Sequence, residues 1–114
     1  MCSSDLRVVR PHRSEPPTRT DNPLCWLPYA WDNSSGSQVW VTSDKWGDAF
    51  KGDLLHTSYG KCKLYKVLVD KSDSGEMQGG VVRFPLKFDS GVMRARVNPV
   101  DGQVYVCGLR GWQT

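Results

Sequence analysis

Turn chemistry cuts this chain into short pieces, and that limits the folds open to it. From Asp32 onward, clusters rich in Asn, Asp, Ser and Gly recur: DNSSG at 32–36, the end of the polar loop SDKWGDAFKGD at 43–53, YGK at 59–61, KSDSGE at 71–76 and NPVDG at 98–102. Asn, Asp and Ser side chains hydrogen-bond their own backbone and Gly accepts positive φ, so each cluster reverses the chain. Between them lie runs with strand character: SQVWVT at 37–42, DLLHTS at 53–58, KCKLYKVLVD at 61–70, QGGVVRFPL at 78–86, VMRARV at 92–97 and QVYVCG at 103–108. The third run alternates, with Leu64, Lys66 and Leu68 on one face and Tyr65, Val67 and Val69 on the other; one face is wholly apolar if the lysine lies at an edge. Pro99 suits the second position of a turn, and Asp101-Gly102 supplies positive φ. No helical pattern competes, so the sequence predicts an all-β fold of about six short strands.

Composition agrees. Eleven glycines, seven prolines, five tryptophans and four tyrosines in 114 residues favour turns and strands. A mean hydropathy of -0.49 with 24% charged residues is that of a water-soluble globular sequence, and no apolar run approaches a bilayer span. The net charge of +3 is mild and no run of five like charges occurs, which argues against nucleic acid as a partner. Cys2, Cys25, Cys62 and Cys107 are widely spaced, with no C-x-x-C metal or redox pair and no C-x-x-C-H haem attachment site. A disulfide among Cys25, Cys62 and Cys107 is one reading; small buried apolar residues in strands is the other, and the favoured one. Neither a G-x-S-x-G elbow nor an H-E-x-x-H metal motif is present.

Two stretches repeat. SSGSQVWV at 34–41 resembles DSGVMRAR at 89–96, and GDLLHTSYG at 52–60 resembles GQVYVCGLRG at 102–111, at offsets of 55 and 50 residues. Their common order suggests one supersecondary unit of roughly 40 to 55 residues, the period of four-stranded propeller blades. The competing explanation is two unrelated hairpins of a β-sandwich.

The ends are of another character. The hexapeptide MCSSDL resembles translated sequencing-adapter DNA, which would make residues 1–6 non-native and remove Cys2 from the count. Residues 7–23, RVVRPHRSEPPTRTDNP, are proline-rich and charged, the composition of an extended linker or surface loop. LCWLPYAW at 24–31 is expected to pack as irregular structure against a sheet edge. The chain stops at Thr114 just after Gly111-Trp112-Gln113, as a further apolar run begins, so both ends are expected to be cut and 24–114 to be part of a larger fold.

From LCWLPYAWDNSSGSQVWV through FPLKFDSGVMRARVNPVDGQVYVCGLRGWQT, residues 24–114 resemble the propeller region of bacterial proteins related to sorbosone and soluble glucose dehydrogenases, above all the multidomain, haem-associated members of planctomycete type. The resemblance implies a six-bladed-type β-propeller, about two blades of it here, in a periplasmic or secreted protein. It further implies pyrroloquinoline quinone as cofactor, a sugar or alcohol as substrate, and electrons passed to a haem c domain elsewhere in the full protein. The fragment alone is not expected to be active. A non-catalytic propeller that binds carbohydrate or protein is the alternative.

By the same resemblance, Arg94 and Arg96 in MRARVNPVDG, and Lys61 after LLHTSYG, are the candidate cofactor-binding residues. Pyrroloquinoline quinone carries three carboxylates and an ortho-quinone, so guanidinium forks suit its acid groups and an ammonium suits a quinone oxygen. Arginines two apart on a strand share a face, where they repel each other unless an anion lies between them. The plain alternative is a solvated face, or pairing with Asp89 and Asp101. His56 has the chemistry of a general base, but the relatives' catalytic histidine belongs to an earlier blade, and a strand histidine with satisfied hydrogen bonds is the better reading. His12 has no case. Trp40, Trp46 and Trp112 suit carbohydrate stacking, yet packing uses aromatics for the same apolar area and is favoured. No metal ligand set is expected.

Overall fold

The computed structural model describes residues 21–110. The expectations placed on residues 1–20 and on Gly111–Thr114, including Cys2, His12 and Trp112, lie outside them. Among the described residues there are six strands and no helix: β1 (Ser35–Trp40), β2 (Leu54–Ser58), β3 (Lys63–Lys71), β4 (Met77–Arg83), β5 (Gly91–Val97) and β6 (Val104–Leu109). The first four form an antiparallel meander in the order β1-β2-β3-β4, and β5 with β6 forms a separate hairpin. Strand β5 runs against β1 and β2, so the hairpin is laid on one face of the meander. This is an all-β, incomplete propeller-like arrangement: one four-stranded blade, then a hairpin packed on it as the first half of a second.

The repetition seen in sequence has a counterpart in hydrogen bonding. Where β1 leads into its loop, the Val41 amide donates to the Asp53 carbonyl (2.8 Å) and the Gly52 amide to the Val41 carbonyl (2.7 Å). Where β5 leads into its loop, the Asn98 amide donates to the Gln103 carbonyl (2.9 Å) and the Gly102 amide to the Asn98 carbonyl (2.8 Å). The glycine that closes each loop is left-handed, with φ of 81° at Gly52 and 72° at Gly102, a conformation that costs other residues strain. The two hairpins are therefore one design with loops of different length.

Apolar packing fills the space between meander and hairpin. Val41, Leu55 and Leu64 are buried there, with Val39, Phe84, Phe88 and Val104 against them. The long β1–β2 loop folds back to add Trp46 and Phe50, whose ring meets Phe84 at 5.8 Å between centroids. Each fully buried aliphatic side chain here contributes roughly 1.5–3 kcal/mol. Gly36 lets β1 and β5 approach: a Cβ at that position would overlap the Val92 carbonyl oxygen. The Ser37 hydroxyl then joins the sheets, accepting from the Ala95 amide at 3.2 Å while the Ser37 amide donates to Thr57 Oγ1 at 2.8 Å.

Two expectations need correction and a third holds in part. Lys66 is not at an edge: β3 is paired on both sides, and the ammonium leaves the apolar face by reaching the Ala49 carbonyl (2.9 Å) and Asp53 (2.8 Å) across the Phe50 ring. The 24–31 segment is irregular and begins against the edge strand β4, where Leu24 lies on Gly79, but its end crosses onto the sheet face opposite the hairpin, with Trp31 stacked on Tyr65. The three described cysteines are free thiols, and only Cys62 is buried; Cys107 is exposed because it points to the open face of β6. Cys62 also holds the left-handed position of the β2–β3 turn, φ 53°, which the sequence assigns to the glycine of YGK.

Candidate functional site

A row of cross-strand partners, Gln38, His56, Tyr65 and Arg83, crosses all four strands of the meander on the face away from the hairpin. The segment before β1 closes over this row. The amides of Trp31 and Asp32 donate to the Pro28 carbonyl, which turns the chain so that Trp31 covers Tyr65 and Asp32 reaches His56. The Tyr65 hydroxyl donates to the Trp31 carbonyl, and the Arg83 guanidinium lies over the Trp31 ring at 5.3 Å.

Asp32, 3% exposed, is the centre of this cover. Its carboxylate accepts from His56 Nε2 (2.6 Å), Ser58 Oγ (2.7 Å), Ser35 Oγ (2.9 Å) and the Ser34 amide (3.3 Å). The Gln38 amide nitrogen stands 2.9 Å from His56 Nδ1, so the ring accepts there and donates through Nε2. Burial by itself would raise the Asp32 pKa; the hydrogen bonds from His56 and Ser58 outweigh it and hold the carboxyl below its ordinary value. Serine, histidine and aspartate are all present, but not as a nucleophilic triad. The Ser58 hydroxyl donates to the aspartate and not to the imidazole, and His56, 1% exposed, has both ring nitrogens engaged. The network is structural, and His56 has the hydrogen-bonded role of a strand histidine. Asp32 and Ser58 are the residues sequence reasoning missed; the signal was there only as an aspartate opening a turn cluster and a serine closing a strand.

Arg94 and Arg96 share a face by ordinary alternation, and the strand changes phase just ahead of them. The β5–β6 register pairs Val92 with Gly108 but Arg94 with Cys107, so Met93 is an extra residue and β5 carries a bulge. Val92 and Ala95 consequently both point inward and are buried, while Arg94 and Arg96 point out beside Cys107 and Tyr105. Arg94 Nη1 donates to its neighbour's carbonyl on Met93 (2.9 Å) and to the Gly36 carbonyl of β1 (3.4 Å); Arg96 Nη1 donates to the Ala95 carbonyl (3.0 Å). Neither arginine has a carboxylate partner among the described residues. Asp101 is engaged by the Tyr105 hydroxyl at 2.6 Å, a contact that lowers the pKa of the aspartate and raises that of the tyrosine.

Lys61 stands apart from them. It occupies the β2–β3 turn, its amide donating to Ser58 Oγ at 3.1 Å and its ammonium 5.6 Å from the Tyr29 ring centre. That turn packs at Gly91, the start of β5, from which Arg94 and Arg96 are roughly 10 and 17 Å along the strand. Of the aromatics, Trp46 is in the core and Trp31 stacks on the sheet, while Trp26 and Trp40 are exposed. Among the described residues, no three His, Cys, Asp or Glu side chains gather as a metal would need, and no helix is long and apolar enough to cross a membrane. No protein-family model matches the chain, and no curated protein or solved structure does either.

Proposed function

We propose that this chain is part of the propeller of an exported, quinone-dependent sugar or alcohol dehydrogenase-like protein, and that Arg94 and Arg96 hold an acid group of the cofactor. One observation carries the reading: two guanidinium groups point from one face of β5 at its seam with β1, with only backbone carbonyls as partners among the described residues. Each fork retains donors for a carboxylate, so the donor set fits the polyacid pyrroloquinoline quinone. When bound, that quinone accepts the two electrons released as an alcohol becomes a carbonyl. A base for the alcohol would have to come from outside the described residues, because His56 is buried and hydrogen-bonded at both nitrogens. Lys61, suggested by the resemblance for a quinone oxygen, has no contact with either arginine, and the proposal rests on the arginine pair. The haem c domain that would receive electrons belongs to the full protein in this reading, as does periplasmic or secreted location.

A non-catalytic propeller module that binds carbohydrate or protein is the second reading, favoured by the exposed rings of Trp26 and Tyr29. Titration with pyrroloquinoline quinone, followed by absorbance, separates the two. Saturable binding that Arg94→Ala/Arg96→Ala weakens roughly ten- to a hundredfold, about 1.4–2.8 kcal/mol, supports the cofactor site. Absence of binding by the complete, folded propeller removes the quinone and leaves the scaffold.

A further inference from the structure

The two ends of the meander differ in charge. At one end the β3–β4 turn and its flanks carry Asp70, Asp73 and Glu76 against Lys71, the β1–β2 loop carries Asp44, Asp48 and Asp53 against Lys45 and Lys51, and the β5–β6 turn carries Asp101. At the other end are Lys61 in the β2–β3 turn, Lys63 opening β3 and Arg83 closing β4. The carboxylates at this basic end are Asp32, buried and fully hydrogen-bonded, and Asp89, which precedes β5. The aromatic segment before β1 starts with Leu24 against Gly79 of β4 and reaches the basic end at Tyr29 and Trp31. Tyr29 is 72% exposed under the Lys61 ammonium, and Trp26, on the same segment, is 69% exposed. Trp31, fixed between Tyr65 and the Arg83 guanidinium, pins the segment in place.

Exposed flat rings and cations with little opposing acid form a particular kind of surface. Tyrosine and tryptophan faces match the apolar C–H faces of pyranose rings, and an adjacent ammonium or guanidinium matches a sugar carboxylate. We propose that this basic end binds an acidic polysaccharide whose units carry carboxylates, with Tyr29 and Trp26 stacking on sugar rings and Lys61 and Arg83 facing their charges. Nucleic acid suits the surface less well: a duplex carries one charge per about 1.7 Å of its axis, and Lys61, Lys63 and Arg83 are too few cations to follow so dense a line of phosphates.

Native-gel affinity electrophoresis of the full 114-residue chain tests this, with polygalacturonate in the gel and neutral dextran and double-stranded DNA as comparators. Tyr29→Ala alters an exposed side chain and Lys61→Gln a half-buried one, both outside the buried network, and far-ultraviolet circular dichroism checks that both fold. The expected result is retardation by polygalacturonate, weakened roughly fivefold by each substitution and relieved by salt, with little retardation by dextran. Failure of polygalacturonate to retard the folded chain overturns the proposal. So does retardation that neither substitution changes, or equal retardation by DNA. The quinone titration uses different substitutions and a different readout, so either proposal can fail alone.

Discussion

Replacing Asp32 with alanine is the sharpest test of how this fold is held. The substitution strips the partner from two buried donors, His56 Nε2–H and the Ser58 hydroxyl, at 2.6 and 2.7 Å. Each buried donor left without an acceptor costs about 1–3 kcal/mol, so the loss expected is roughly 2–6 kcal/mol. Ser35 and the Ser34 amide add little, because solvent reaches them. Urea unfolding followed by tryptophan fluorescence reads the change, with Trp31 on the same segment as reporter. Ser35→Ala removes only the outermost bond and should cost less than about 1 kcal/mol, which keeps the gradient measurable if Asp32→Ala does not fold. The acid limb gives a second reading. The folded pKa of Asp32 is below its unfolded value, so its contribution is complete above the unfolded carboxylate range, about 3.9, and is lost as pH falls through the folded value. Wild type should therefore lose more stability between neutral pH and strong acid than Asp32→Ala does. A cost under about 1 kcal/mol for Asp32→Ala, or an acid limb the substitution leaves unchanged, would refute the reasoning.

Gly36→Ala should separate β5 from β1, because its Cβ meets the Val92 carbonyl; backbone displaced by overpacking costs about 1–3 kcal/mol, read by denaturant midpoint. Lys66→Met keeps the stem over Phe50 but deprives partly buried Asp53 of its ion pair, and should cost about 1 kcal/mol in the same assay. Among the described residues the outer edge of β6 has no strand partner, and Tyr105 and Leu109 are exposed on a strand with neither charge nor proline, so the isolated chain should associate on warming. Sedimentation velocity before and after thermal unfolding would count against this if it showed a sharp, reversible and monomeric transition.

Strands were legible because their signals are local. Turn clusters and period-2 alternation marked all six within a few residues, and the repeated glycines of GDLLHTSYG and GQVYVCGLRG correspond to the left-handed Gly52 and Gly102. Contacts between distant positions were not legible. Asp32 reads as a turn residue until His56, 24 positions on, is brought beneath it. Lys66 breaks an apolar alternation, and nothing local says that Asp53 and the Ala49 carbonyl will take its charge. The arginine pair was suggested by the resemblance and not by its spacing; that the two share a face follows from an i, i+2 rule for a regular strand, and it holds because the irregularity falls at Met93, one residue before the pair begins.

That irregularity makes β5 a strand whose phase changes partway along. Ahead of Met93 and behind it, inward and outward positions are counted from different origins, so the segment cannot slide along β6 without sending an arginine into the interior or a valine into water. A bulge of this kind acts as a detent: it gives the hairpin one resting position among the several that backbone pairing alone would allow. Deleting Met93 would leave Val92, Arg94, Ala95 and Arg96 in plain alternation opposite their present partners on β6, so the faces would be kept and the detent lost.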